Sequence, residues 1–394
     1  MSGGATDARP RGRGRVCFHS PYLYPLVSPD TEGYTGGMEV QQRLLARGLG
    51  SRGFDPWVVT CDYGQAPVVH VDGMTLVRSY PPHGGLPVVR FLHPRLTLTV
   101  AALWRADADV YFMQGSGLLA GVTNDAAHAR GRPFVFLAAH DWDTLRTLPF
   151  QERARERWWY RRALFGCDLR LAQTEWQRAS LEREWGLHST VVRNPVELPA
   201  RIADPGTGDT VVWLATYKPS KRPEWFTHLA TALPDHRFVM AGVIPVPPLS
   251  RECYDAALEV ARTHPRLAVG GYLDHERVGE LFASAALLVH TSPAEGFSNV
   301  FLEAWAHGVP SVTCVDPDGV IAANGMGIVV ETLEDMTAAV RALLADPARR
   351  REMGARARAY VERHHAPDVV YDRLGGLLDP LIRRGRGARA SATP

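Results

Sequence analysis

Lysine is nearly absent from this sequence: Lys218 and Lys221 stand against 42 arginines. Both fall in one window, TYKPSKRPE, so a chain that uses arginine everywhere else keeps lysine at a single place. Arginine presents a planar fork, whereas lysine presents a compact point charge suited to one phosphate oxygen. Cysteine is scarce as well. The five (Cys17, Cys61, Cys167, Cys253, Cys314) are scattered without C-x-x-C spacing, which predicts free thiols in a reducing cytoplasm and argues against a zinc site. No apolar run approaches the ~18 residues of a membrane span. The polar, arginine-rich start lacks an apolar core, so no secretory signal is expected there.

A strong charge of either sign is also missing. The net charge is +2, and removing the arginines near the two ends (9, 11, 13, 15 and 383, 384, 386, 389) together with Asp7 leaves the body at about −5. A mildly acidic body does not suit a nucleic-acid partner. The Arg/Gly ends, residues 1–14 and 384–394, are expected to be solvated and disordered.

The most informative stretch is LLVHTSPAEGFSNVFLEAWAHGVPS, residues 287–311. An apolar run breaks at Ser292-Pro293, passes Glu295-Gly296-Phe297-Ser298 and enters a helical pattern that stops at Gly308-Val309-Pro310. This predicts a strand, a short loop and a helix. A helix start offers unpaired N–H groups and a partial positive charge, and so suits a phosphate. Glu295 and Glu303 flank that position as acceptors for hydroxyl groups, and an anion site between two such carboxylates describes a sugar nucleotide. The plainer alternative makes both ordinary helix-start and helix-surface charges. A capping box does not account for Glu303, because the positions three beyond Ser298 and Asn299 are Phe301 and Leu302.

EGFSNVFLEAWAHGVP closely resembles the E-x7-E segment of the retaining glycosyltransferases of family 4. The resemblance implies the GT-B fold: two Rossmann-like α/β domains facing each other across a central cleft, with a C-terminal helix crossing back to the first. It implies that Glu295 holds donor sugar hydroxyls and that Glu303 holds the ribose. Gly296, Phe297, Ser298 and Asn299 would present backbone groups to sugar and phosphate. The family's phosphate loop usually reads Gly-Arg, four residues, then Lys; here the corresponding residues are Ala215, Thr216 and Lys221. The Lys position is kept and the Arg position is Thr216, with Lys218 and Arg222 as nearby substitutes for the missing charge. Gly36-Gly37 matches the glycine pair of the first-domain loop, which would let the backbone approach the donor diphosphate and give it N–H groups. His140 corresponds to a histidine near the reaction centre.

Strand-like and helix-like segments alternate on both sides of PVELPARIADPGTGD, a Pro/Gly-rich stretch that reads as a linker at 196–209. This gives an acceptor-side domain at 15–195, a nucleotide-sugar domain at 210–366 and a crossover helix at 367–383. Asp141-Trp142-Asp143 looks like the D-x-D metal motif of a different glycosyltransferase fold; within this pattern Asp141 and Asp143 are carried as acceptor-side carboxylates, and no metal is expected. A basic, Trp-rich helix from about residue 151 to 165 is read first as core packing with a solvated face, and second as a weak peripheral contact with an anionic membrane. The resulting expectation is a glycosyltransferase that takes a UDP- or GDP-linked sugar as co-substrate, uses no cofactor and transfers to an acceptor the sequence does not name. A non-catalytic sugar-nucleotide-binding protein and a nucleotide-sugar epimerase are the alternatives.

Overall fold

In a computed structural model, residues 12–390 are described, except 29, 32, 34, 35, 85–90, 150, 201, 203 and 246–250. Arg9, Arg11 and parts of the 28–35 and 80–94 loops lie outside the described residues. The chain forms two compact units, Met1–Pro195 with Val370–Pro394, and Val196–Val369.

The first unit is built on an eight-stranded sheet of β1 (Gly14–His19), β2 (Phe54–Thr60), β3 (Val68–Val71), β4 (Met74–Arg78), β5 (Val110–Gln114), β6 (Phe134–Leu137), β7 (Leu169–Ala172) and β8 (Thr190–Val191). The order is β3-β4-β2-β1-β5-β6-β7-β8, all parallel except the β3–β4 hairpin at the edge. The central strands are apolar on both faces, as parallel strands covered by helices must be; Val16, Phe18, Val110, Phe112, Val135 and Leu137 are all within 1% of full burial. Helices α1 (Gly37–Ser51), α2 (Leu118–His128) and α3 (Ala154–Gly166) follow β1, β5 and β6. Strand order reverses between β1 and β5, and the carboxyl ends there are where open α/β sheets place ligands.

The second unit has a parallel six-stranded sheet, β11-β10-β9-β12-β13-β14, from β9 (Thr210–Leu214), β10 (Arg237–Ala241), β11 (Leu267–Val269), β12 (Ala285–His290), β13 (Ser311–Thr313) and β14 (Gly327–Val329). Helix α4 (Pro223–Ala232) follows β9, α5 (Asn299–Ala306) follows β12, and α6 (Pro347–His364) packs against α5. The described residues of 196–209, the predicted linker, are tied to this unit at Val196, Pro205 and Gly206. Val196 is buried in its core, and Arg350 donates to the carbonyls of Pro205 (2.6 Å) and Gly206 (3.0 Å).

The last helix, α7 (Pro367–Ala390), returns to the first unit. Val370, Leu374, Leu378 and Ile382 fall on one stripe and are buried with Leu45, Leu49 and Phe54. Tyr371 lies against Gly48 so closely that a Cβ there would sit 2.3 Å from the ring, which requires glycine at that point of α1. Neither arginine-rich end is wholly the disordered tail expected of it. Arg13 pairs with Asp379 at 2.6 Å, Gly14 opens β1, and α7 continues past Arg383, where Arg386 reaches Asp109 at 2.8 Å. Buried or part-buried carboxylates hold these arginines in place.

Candidate active site

Strand β12 is six consecutive buried residues, and its apolar run ends in His290-Thr291. Trp213, at the end of β9, donates its indole N–H to the Thr291 hydroxyl at 2.9 Å, and that hydroxyl donates to the Lys221 carbonyl. This relay fastens the lysine loop to the end of β12. Arg222 takes a left-handed conformation (φ 46°) at the head of α4, and its guanidinium lies over the Trp225 ring at 4.7 Å.

Across from that loop, Glu295 follows β12 and its carboxylate forms an ion pair with the Lys221 ammonium. His290 lies 3.8 Å from the same carboxylate oxygen and 4.6 Å, centroid to centroid, from the Phe301 ring. Burial, and after it the Lys221 charge, drives His290 down to about 3, so at neutral pH it is an uncharged wall of the site. Burial, and after it the Lys218 charge, lowers Lys221 to about 8, which leaves it cationic at pH 7. The sequence did not single out His290. Its signal was its place as the last residue of the strand feeding the motif.

Helix α5 starts at Asn299 with Ser298 as its N-cap, and the Ser298 hydroxyl makes no capping bond. Phe297 does not face outward: it is buried, with its ring 6.0 Å from Trp305 and 4.9 Å from His365, and so anchors Gly296 and Ser298 at the helix start. Glu303 sits in the second turn, half-buried. Burial pushes its carboxyl up to about 7, opposed by the charge of His275, which lies 3.1 Å from Glu197. Lys221, Glu295 and the start of α5 are thus brought together in the second unit. Thr216 is half-buried and its carbonyl accepts from the Lys218 N–H at 2.9 Å; Lys218 is exposed, yet close enough to depress Lys221.

The raised Glu303 fixes a sign for stability. Below about 4.5 the carboxyl is protonated in folded and unfolded chains alike; as pH rises through about 7 the fold must ionise a group it disfavours, and stability is lost. Glu303→Gln carries no such proton. Its stability is expected to gain on the wild type between about pH 5 and pH 8, by on the order of 1–2 kcal/mol after allowing for partial exposure. Urea midpoints at the two pH values check this, and a difference that stays flat with pH would sink it.

In the first unit, Gly36 is the N-cap of α1, and its N–H donates to the Glu39 carboxylate at 2.9 Å. That donor, expected to serve a diphosphate, already has a partner. Met38, one residue into the helix, would be 3.0 Å from a Cβ on Gly115, so the start of α1 lies over the end of β5. His140 follows β6 and is exposed, with its ring 5.9 Å from Trp142. Asp143 accepts from the backbone N–H groups of Ala139 (2.8 Å) and His140 (3.0 Å) and from the Ser116 hydroxyl (2.5 Å). Its oxygens knit the ends of β5 and β6, which leaves it unsuited to the acceptor role expected of it. Asp141 accepts from the Gln177 amide at 3.1 Å and is half-exposed. Among the described residues no cluster of three His, Cys, Asp or Glu side chains could hold a metal ion.

Two families match consecutive parts of the chain: Glycosyltransferase Family 4 over residues 35–199 and Glycosyl transferases group 1 over residues 208–346. A GDP-mannose-dependent monoacylated alpha-(1-6)-phosphatidylinositol monomannoside mannosyltransferase from Corynebacterium glutamicum is 34% identical over 87 residues, 21% of this chain and 23% of that relative's length. Among solved structures, a sucrose-phosphate synthase from Thermosynechococcus elongatus superposes with a TM-score of 0.76 at 17% identity, covering 94% of this chain and 99% of that one. HepE of Anabaena, in complex with UDP-glucose, gives 0.71 at 14% identity over 93% of this chain and all of that one.

Proposed function

Because the chain belongs to the glycosyltransferases of the GT-B fold, we propose that it moves a sugar from a nucleoside diphosphate to an acceptor hydroxyl, using the second unit to hold the donor. The observation that carries this reading is the Lys221–Glu295 ion pair beside a helix start that has no side-chain cap. A sugar nucleotide supplies what each partner takes: phosphate oxygens for the ammonium and hydroxyl donors for the carboxylate. Binding would exchange one ion pair for two charge-assisted contacts.

The chemistry then follows from charge. Breaking the bond between the anomeric carbon and the phosphate oxygen leaves negative charge on the diphosphate, which Lys221 and the start of α5 stabilise. The acceptor hydroxyl attacks the same carbon and passes its proton to the departing phosphate oxygen, which on one face retains the anomeric configuration. Glu295 positions the sugar and Glu303 takes the ribose hydroxyls in its ionised form, while His140 is assigned to the acceptor side. We place the charge that Thr216 lacks on Lys218, because Arg222 is already seated on Trp225. No metal ion is needed in this scheme.

UDP- and GDP-linked sugars are the donors to test, since HepE was solved with UDP-glucose and the Corynebacterium relative is GDP-mannose-dependent. One member of the set is expected to raise the melting temperature and, with an acceptor, to release nucleoside diphosphate. A donor at ~100 times its Kd stabilises by about 2.7 kcal/mol. Binding with no release in any acceptor mixture would instead favour a non-catalytic sugar-nucleotide-binding protein. The same titration on Lys218→Ala and Arg222→Ala assigns the second cation: only the former should weaken binding.

A further inference from the structure

Helix α3 presents a face that the reaction does not use. Tyr160, Ala163 and Leu164 are buried on one side, while Trp158 is 53% and Phe165 54% exposed on the other. The two aromatics are seven residues apart, nearly two full turns, and so share one stripe with Arg155, Arg161 and Arg162. Glu156 lies roughly 200° around from Trp158, towards the buried side.

Several arginines of the first unit are held by carboxylates. Arg13, Arg15, Arg43, Arg52 and Arg132 each rest on an aspartate. Arg153, Arg155, Arg157 and Arg161 have no carboxylate partner among the described residues; only Arg162 does, held by Asp125 at 2.9 Å. Arg162 also lies over the Trp158 ring at 5.0 Å, Arg161 over Trp185 at 5.7 Å and Arg155 over Phe91 at 5.0 Å. Between α3 and the end of α2 is a groove of about 470 Å³, lined by His128, Trp158, Arg161, Arg162 and Phe165.

We propose that this face seats on the anionic headgroup surface of a lipid bilayer. Trp158 and Phe165 enter the headgroup–acyl boundary, the arginines meet lipid phosphates, and the groove receives one headgroup. Charge complementarity selects this occupant: Arg155 and Arg161 lack protein carboxylates and, with Arg162, border aromatic surface on a helix that lies along the unit's exterior. Such helices bind by apolar burial and by attraction to acidic lipid together.

Co-sedimentation of the full chain with vesicles tests this, comparing phosphatidylglycerol-containing vesicles with pure phosphatidylcholine. Partitioning is expected to be at least about tenfold stronger onto the acidic vesicles at ~0.1 M salt, and to weaken towards ~1 M as the screening length falls from about 10 to about 3 Å. Trp158→Ala with Phe165→Ala should reduce it about tenfold, and Arg155→Glu with Arg161→Glu should abolish the lipid preference, both with unchanged melting temperatures. No binding, equal binding to both vesicles, or wild-type binding by both variants would overturn the proposal. So would displacement by free glycerol phosphate at matched ionic strength, which would reduce the face to a small-anion site. None of these readouts depends on transferase activity.

Discussion

Replacing Lys221 with alanine is expected to lower turnover on the order of 10²–10³-fold, the cost of removing one fixed donor from a developing anion, about 2.7–4 kcal/mol. The substitution has a second effect. It leaves the Glu295 carboxylate, 9% exposed, beside a His290 held neutral by burial. Taking one partner from a buried pair strands the other charge, so the second unit should also lose stability. Lys221→Ala combined with Glu295→Gln separates the two effects. The pair should recover the melting temperature and leave turnover low. If the single variant turned over within a few-fold of wild type, Lys221 would have no place in the reaction. The alkaline limb of the wild-type pH profile should fall with a midpoint near 8, where Lys221 loses its proton, and that limb should vanish in the variant.

The largest effect on folding is expected at Trp305. It is fully buried, stacks on Phe301 at 5.2 Å, and meets Phe297 and Tyr360 edge-on at 6.0 and 6.1 Å. These contacts hold α5 to α6 and to the loop carrying Glu295. Trp305→Ala removes the centre of that cluster and should cost about 3–5 kcal/mol. With two units in the chain a single unfolding curve is ambiguous. Hydrogen exchange resolved by peptide is therefore the better readout, with protection falling across residues 285–313 while β1 and β5 stay unchanged. Equal protection in variant and wild type would show that the cluster does not hold the motif.

The opening motif was legible because its signals are local. Five apolar residues and His290 make β12, and Gly308 and Pro310 stop α5. The ion pair was not legible: Lys221 and Glu295 are 74 positions apart, and they meet because β9 and β12 are neighbouring parallel strands whose following loops the Trp213–Thr291 relay ties together. The β3–β4 hairpin could have been read and was not. Asp72-Gly73 joins its strands with φ of 53° and 72°, the left-handed pair that a tight hairpin turn requires. Asp141-Trp142-Asp143 misled in the opposite direction, since two carboxylates in a short motif cannot announce that one is spent on backbone N–H groups. Helix α3 defeated pattern reading for a different reason. Its buried stripe is only Tyr160, Ala163 and Leu164, and two adjacent tryptophans outside that stripe gave an apolar count that suggested more core than the helix has. The C-terminal arginines resembled a disordered tail because their partners, such as Asp109, lie far away in sequence.

The return of α7 to the first unit has a consequence for synthesis. A ribosome releases β1 through β8 well before the helix that covers Leu45, Leu49 and Phe54. The second unit is continuous and lies wholly between. At about 5–20 residues per second, the roughly 175 residues from Pro195 to Val370 take about 10–35 s to emerge. During that interval the part of the chain made first still has an open apolar seam, while the part made later can already close. The order of completion is therefore the reverse of the order of manufacture, and a chain truncated before Val370 should engage chaperones through the seam beside Gly48.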